Sequence, residues 1–247
     1  MHPWLETITG FANAAASFLY PEHCQLCNGR RAAPIHSFVC VDCRAAVTWI
    51  EAPFCDRCGY PYEANITTTF ECKNCKDVHL HFSTARSAVA AKGGVLEAIH
   101  RYKYQRALWF EPFLAGLLVN RAFESLRDQG WTRVVPVPLY STKEREREFN
   151  QSERLGRHLA KALELPLDSS VLKRSRPTRT QTRLSREERQ ENMRNAFILS
   201  KTVKLDDERI VLVDDVFTTG ATTAACAKVL RAAGAADVCV WTVARGI

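Results

Sequence analysis

Val211-Leu-Val-Asp-Asp-Val-Phe-Thr-Thr-Gly-Ala-Thr-Thr223 is the most informative stretch of this 247-residue chain. The apolar run at 210–213 predicts a short buried strand of the kind that parallel sheets contain. The two carboxylates that follow are expected where that strand ends. A helix of small residues is expected from about Ala221 to Ala233, and Gly234 stops it. Strand, carboxylate, turn and helix in this order are typical of doubly wound α/β folds.

The turn between this strand and this helix carries hydroxyl groups and a glycine. Such a turn directs backbone N–H groups and a helix N-terminus toward one point, which makes an anion-binding site. Carboxylates only accept hydrogen bonds, so they suit ribose hydroxyls or the water shell of magnesium better than phosphate. Because adjacent carboxylates ahead of Thr-Thr-Gly-x-Thr have no packing purpose, we expect a phosphoribosyl site here. Its candidate residues are Asp214, Asp215, Thr218, Thr219, Gly220, Ala221 and Thr222.

From about Ser83 onward the chain alternates strand-like and helical patterns. Strands are predicted at 84–91, 133–139 and 237–244, in addition to the strand at 210–213. Helices are predicted at 95–104, 110–126 and 150–163, and Gly93-Gly94 is expected to form a turn. This alternation predicts an α/β fold with a mostly parallel sheet and helices on both faces. Ligands are then expected at the carboxyl ends of the strands, where the paired carboxylates stand.

Eight of the ten cysteines form four Cys-x-x-Cys knuckles in the first third of the chain. One knuckle supplies two thiolate ligands, so two knuckles complete a tetrahedral zinc site. Local sequence favours sequential over interleaved pairing, because Cys40 to Ile50 has the pattern of a knuckle that leads into a helix. The two expected quartets are Cys24, Cys27, Cys40 and Cys43, and then Cys55, Cys58, Cys72 and Cys75. Zinc is favoured over iron, and full ligation by protein predicts two structural ions.

The N-terminal segment 1–20 lacks the basic start of a secretory signal and places apolar residues at helical spacing. It is expected to form an amphipathic helix packed on the rest of the protein, with a membrane-surface anchor as the alternative. No run is long enough to span a bilayer. We therefore expect a cytoplasmic protein, whose knuckles are metal sites rather than disulfides. The change of composition after Cys75 predicts two domains, at 1–82 and 83–247.

The net charge of +7 is concentrated between Lys173 and Arg194, where eight basic residues stand against three glutamates. Three interpretations of this basic stretch stay open: a solvated helix face, a lid that closes on pyrophosphate, and a nucleic-acid contact. The lid interpretation predicts that 176–189 becomes ordered over bound pyrophosphate.

The segment 211–223 resembles the signature of type I phosphoribosyltransferases, which bind phosphoribosyl pyrophosphate (PRPP) with such a loop. Over nearly its full length the chain also resembles the ComF family, proteins associated with bacterial competence, and its GntX-like relatives. The motifs that carry this second resemblance are His100-Arg-Tyr-Lys-Tyr104, Val135-Pro-Val-Pro-Leu139, Arg145-Glu-Arg-Glu-Phe-Asn-Gln151, Gln181-x-x-Leu-x-x-x-x-Arg189-x-x-Asn192 and Asn195-Ala-Phe197. The resemblance implies a double zinc ribbon followed by a type I phosphoribosyltransferase-like domain.

The chain departs from this family pattern in two places. Glu148 follows Arg147 where the family usually has a glycine, and the stretch 105–107 follows the Lys-Tyr pair where a glycine is common. Losing these glycines removes easy positive-φ turns. Both segments adjoin the expected cleft, so we expect its pyrophosphate side to be reshaped.

The resemblance also implies a function for the C-terminal domain: binding of PRPP with magnesium and transfer of phosphoribosyl to an acceptor that the sequence does not identify. The residues expected to bind pyrophosphate are Lys103, Arg145, Arg147, Arg183 and Arg189. A competing hypothesis is a non-catalytic, nucleic-acid-associated factor in DNA uptake. Its partner would be single-stranded DNA or a competence protein.

Overall fold

The computed structural model describes residues 22–62, 72, 74–76, 78–176, 195–200 and 203–247. The predicted amphipathic helix at 1–20 lies outside these ranges. The basic stretch lies outside them from 177 to 194, which includes Arg183 and Arg189. The interpretations of both segments therefore stay predictions.

Six strands lie in the described part of the chain: β1 (Thr84–Ala90), β2 (Arg133–Pro136), β3 (Leu172–Arg174), β4 (Phe197–Leu199), β5 (Arg209–Phe217) and β6 (Asp237–Arg245). Four of them form one parallel sheet in the order β1-β6-β5-β2, which confirms the predicted fold class. β3 and β4 form a separate antiparallel pair that the sequence patterns did not predict. These two strands are too short for hydrophobic periodicity to identify.

Six α-helices accompany the strands in the described ranges: α1 (Val41–Ala45), α2 (Gly93–Tyr104), α3 (Glu111–Leu126), α4 (Ser141–Arg147), α5 (Gln151–Leu163) and α6 (Ala221–Ala232). Helices α2, α3 and α5 pack on one face of the sheet, and α6 covers the other. Asn150 caps α5 by accepting a hydrogen bond from the Ser152 amide at 3.0 Å. None of the described helices has both the length and the apolar character needed to cross a membrane.

Strand β5 is buried on both faces, because its alternate residues enter two different cores. Val211 and Val213 pack with α3 and α5. Ile210 and Leu212 pack with α6 and with cysteines of the second predicted quartet. A central strand of a covered parallel sheet has no solvated face, which explains why its sequence is an unbroken apolar run.

Strand β5 is also longer than predicted. Its pairing with β6 continues from Asp214 opposite Thr242 to Phe217 opposite Arg245. The paired carboxylates therefore stand within the strand rather than after its end. A second difference lies at Gly93-Gly94, which opens α2 instead of forming a separate turn. Gly93 has a φ of 52°, a conformation that glycine adopts readily.

The cysteines pair sequentially, as predicted. The sulfur atoms of the first quartet (Cys24, Cys27, Cys40, Cys43) and of the second quartet (Cys55, Cys58, Cys72, Cys75) lie within 4.8 Å of one another in each set. Contacts between facing sulfurs measure 3.6 to 3.8 Å. A zinc tetrahedron with Zn–S bonds of about 2.3 Å has sulfur–sulfur edges of about 3.8 Å, so each quartet fits one zinc ion. Four protein ligands leave no open position, which makes these sites structural.

The zinc ribbons cover an edge of the parallel sheet at β1. The Ile50 amide, in the link between the quartets, donates to the Ala88 carbonyl at 3.0 Å. In the second ribbon the Arg57 carbonyl accepts from the Ala85 amide at 2.7 Å. Gly59 allows this approach, since a Cβ there would lie 2.6 Å from the Ala85 oxygen. Backbone groups that β1 would expose as an edge strand are thereby paired. The predicted division of the chain into domains at 82/83 stays a prediction.

We expect two zinc ions per chain in protein purified under reducing conditions, and one in either Cys43→Ser or Cys75→Ser. Each substitution removes one thiolate from one quartet, and three ligands hold structural zinc more weakly than four. Elemental analysis of the purified proteins measures the metal content. The two variants are controls for each other. A single ion in the parent protein, or loss of both ions from Cys43→Ser, would contradict the assignment of two independent sites.

Candidate functional site

A cleft of about 330 Å³ opens at the carboxyl ends of β2 and β5. It is lined by the paired carboxylates of β5, by the turn 218–222 ahead of α6, and by side chains of α2, α4 and β3. Sites for small organic ligands measure about 300–1,000 Å³, so this cleft can hold a small metabolite. Its position follows the rule that ligands of open parallel sheets bind beyond the carboxyl ends of the strands.

The turn depends on Gly220, which precedes α6 with a φ of 81°. A Cβ at this position would lie 2.6 Å from the Phe217 ring, so glycine is required by both conformation and space. Thr223 Oγ1 donates to the Gly220 carbonyl at 3.1 Å, and Thr219 Oγ1 accepts from the Ala221 amide at 3.4 Å. The first turn of α6 lines the cleft, so the positive end of its dipole favours an anion there.

The two carboxylates have different partners. Asp215 is 4% exposed and forms an ion pair with Lys103 of α2, with 2.7 Å between Oδ2 and Nζ. Asp214 accepts a hydrogen bond from Ser152 Oγ at 2.8 Å. Burial and the adjacent charge of Asp215 raise the pKa of Asp214 to about 7. The charge of Asp214 therefore changes near neutral pH.

Among the described residues, four cationic side chains line the cleft, and we call them the cation group: Lys103, Lys143, Arg147 and Arg174. Burial, together with the charges of Arg174 and Arg147, holds the pKa of Lys143 below its usual value. Arg174 is half-buried, and its guanidinium lies over the ring of Phe197, 5.4 Å from the centroid. Like charges gathered at a partly buried site repel one another, so the cation group favours a multiply charged anion.

The structure brings together most of the residues predicted for the site. Every residue of the predicted signature lines the cleft except Thr219. Of the residues predicted to bind pyrophosphate, Lys103 and Arg147 line the cleft and Arg145 does not. The other two, Arg183 and Arg189, lie outside the described residues.

Sequence patterns missed Lys143, Ser152 and Arg174 as residues of the cleft. Lys143 precedes Arg147 by one helical turn, so assigning a helix to this segment would have placed both on one face. Ser152 gave no signal, since its contact with Asp214 joins two distant segments. Arg174 lies in a three-residue strand whose pairing the sequence did not indicate.

The two departures from the family pattern meet beside the cleft. Arg106 and Glu148 have φ values of 54° and 66°, so these positions keep turns that glycine adopts more easily. Their side chains form an ion pair with 2.9 Å between Nη1 and Oε1. Next to this pair, the Arg147 guanidinium lies 4.9 Å from the centroid of the Tyr104 ring. The departures thus change the charges beside the cleft and keep its backbone turns.

Two segments of the chain match known domain families. Residues 15–77 match the double zinc ribbon domain, and residues 150–246 match the phosphoribosyl transferase domain. Competence protein F of Haemophilus influenzae is 30% identical over 85% of this chain and 97% of its own length. DNA utilization protein YhgH of Salmonella typhimurium is 33% identical over 91% of this chain and 97% of its own. Competence protein ComFC of Bacillus subtilis is 25% identical over 84% of each chain.

These similarities extend through both parts of the molecule. The match to competence protein F covers almost the whole of that protein, so it includes the cysteine-rich region as well as the sheet and its cleft. The two matched domains follow the order seen in the structure, with the cysteine quartets first and the parallel sheet after them. The chain therefore belongs to the ComF family, with a double zinc ribbon ahead of a phosphoribosyltransferase domain.

Proposed function

We propose that the cleft binds PRPP together with magnesium. The observation that carries this proposal is the meeting of an anion-binding turn, a carboxylate pair and the cation group around one cleft. The match of residues 150–246 to the phosphoribosyl transferase domain supports it. Each of the three groups suits a different part of PRPP, which carries a phosphate, ribose hydroxyls and a pyrophosphate.

In this proposal the turn 218–222 holds the 5-phosphate. Backbone N–H groups at the start of α6 and the hydroxyls of Thr218 and Thr222 supply hydrogen bonds. Because Gly220 packs closely against the Phe217 ring, these donors are already in place before the ligand binds. Donors that need no rearrangement bind an anion more tightly than mobile ones do.

The carboxylates accept hydrogen bonds from the ribose hydroxyls. Lys103 holds Asp215 and Ser152 holds Asp214, so both acceptors are fixed in direction. Carboxylate oxygens also suit magnesium, and Asp214, which is partly buried and accepts a hydrogen bond from Ser152, would hold the ion through its water shell. When bound, magnesium supplies positive charge to the pyrophosphate oxygens.

The cation group holds the pyrophosphate. The planar guanidinium groups of Arg147 and Arg174 can each bind two oxygens, and Lys143 adds a point charge. The reaction class that this arrangement favours is phosphoribosyl transfer. The bond from the anomeric carbon of the ribose to pyrophosphate breaks ahead of the formation of the bond from that carbon to the acceptor, and pyrophosphate leaves. The chain's own contribution is then to position the ribose and to stabilise the charge of the leaving pyrophosphate.

Affinity for PRPP with magnesium should rise with pH up to about 7 and then level off. Binding favours the ionised Asp214 carboxylate, whereas in the free protein Asp214 holds a proton below its pKa of about 7. Affinity should therefore fall by up to about tenfold for each pH unit below that value. Titration calorimetry from acidic to mildly basic pH measures this profile.

Asp214→Asn is the matched control, because it keeps the shape of the side chain and has no proton to lose. The dependence that remains in this variant belongs to other titrating groups, which include the ligand's own phosphates and His100 of the cleft lining. Identical pH profiles for the parent and Asp214→Asn would contradict the proposed role of Asp214.

Lys143→Met should weaken PRPP binding by about tenfold to a hundredfold, the effect of losing one hydrogen bond to a charged group. Binding of ribose 5-phosphate, which has no pyrophosphate, should change little. Arg145→Met is the control, since Arg145 lies in the same helix and does not line the cleft. Competition binding with both ligands measures the difference. Equal losses for the two ligands would place Lys143 at a different part of the site.

A further inference from the structure

Arg245, at the end of β6, is the largest fully buried side chain in the described part of the chain. Its Nη2 atom donates to Cys58 Sγ of the second quartet at 3.6 Å. The guanidinium also contacts two aromatic rings, with 5.2 Å to the centroid of Tyr60 and 4.6 Å to that of Phe217. The Arg245 side chain thus contacts both a predicted zinc ligand, Cys58, and Phe217, against whose ring Gly220 of the turn packs.

The charge of Arg245 requires an anion. Within the described residues, its Nε and Nη1 atoms have no hydrogen-bond partner. A buried cation without compensation is strongly destabilising. A zinc ion held by four thiolates carries a net negative charge, and Cys58 is one of those thiolates. The second zinc site is therefore the counterion that this buried arginine needs.

The Phe217 ring connects Arg245 to the turn 218–222. Phe217 is 1% exposed, and Phe82 packs edge-on against it with 6.1 Å between centroids. Gly220 lies so close to the ring that a Cβ there would be 2.6 Å from it. The ring cannot shift toward the turn without displacing Gly220, and the Arg245 guanidinium lies over the same ring.

We propose that Arg245 is a positioning residue through which the second zinc site sets the conformation of the turn 218–222. With zinc bound, the tetrathiolate holds the guanidinium, and the guanidinium holds the Phe217 ring under Gly220. When zinc is lost, the uncompensated cation leaves its place and the turn loses its support. The first quartet has no such role, since its ribbon docks on α2, where Arg101 donates to the side chain of Gln25 at 3.2 Å.

Hydrogen exchange followed by mass spectrometry tests this coupling on the peptide 217–226 without any ligand. The reporter is the Ala224 amide, which donates to the Gly220 carbonyl at 2.8 Å and is protected while the turn keeps its shape. Cys75→Ser should raise exchange in this peptide by about fivefold or more, the lower end of typical coupling between sites. Cys43→Ser, which removes zinc from the first quartet, should leave it unchanged. Equal effects of the two variants would overturn the proposal.

Arg245→Met separates the role of Arg245 from that of zinc, since methionine keeps most of the apolar stem and removes the charge. We expect raised exchange in 217–226 while both zinc ions stay bound, and no further rise when Cys75→Ser is added. The control is Arg209→Met, which removes a guanidinium that lies 4.5 Å from the Trp131 ring centroid at the other end of the same sheet. Normal protection in Arg245→Met, or additive effects in the double variant, would overturn the proposal.

The same variants can be tested for PRPP binding as a separate measurement. Arg245→Met and Cys75→Ser should both weaken it, whereas Arg209→Met should not. Absence of PRPP binding in the parent protein would refute the proposed function. The hydrogen-exchange experiment would still decide the role of Arg245, because it uses no ligand.

Discussion

Two adjacent carboxylates in a strand that is buried on both faces have to be compensated by groups from outside that strand. Lys103 reaches Asp215 from the last turn of α2, and Ser152 reaches Asp214 from the first turn of α5. Charges buried without such partners would be strongly destabilising. Both helices must therefore stand at fixed positions beside the end of β5, and the cleft is the space left between them.

A buried network on the same side of the sheet keeps these helices in place. Glu111 of α3 accepts a hydrogen bond from Tyr102 of α2 at 3.1 Å and contacts His158 Nε2 of α5 at 3.0 Å. Burial alone would raise the pKa of Glu111, but hydrogen bonds from His158 and Arg154 outweigh it and hold the pKa below its usual value. The carboxylate stays ionised and joins three helices at one point. Tyr102 is the neighbour of Lys103, so this network also fixes the residue that neutralises Asp215.

The parts of this structure that could be predicted from sequence are those with a local cause. The strand, turn and helix around Gly220 each follow from adjacent residue types, and the cysteine quartets follow from the spacing of knuckles. The length of β5 could not be predicted, because it depends on the register with β6. The ion pair of Lys103 with Asp215 also escaped prediction, because it joins segments that only the packing of α2 brings together.

Arg106 and Glu148 show how two substitutions in separate segments become dependent on each other. Each occupies a left-handed turn that is unfavourable for a side chain, and an exposed ion pair offsets little of that cost. Its larger effect is on local charge. Without Glu148, Arg106 would add a positive charge beside the cation group, and without Arg106, Glu148 would place a negative charge next to Arg147. Replacing one of the two residues by glycine therefore changes the electrostatic potential of the cleft, whereas replacing both leaves the local net charge unchanged. The two residues therefore act on the potential of the cleft as a pair, although neither of them lines it.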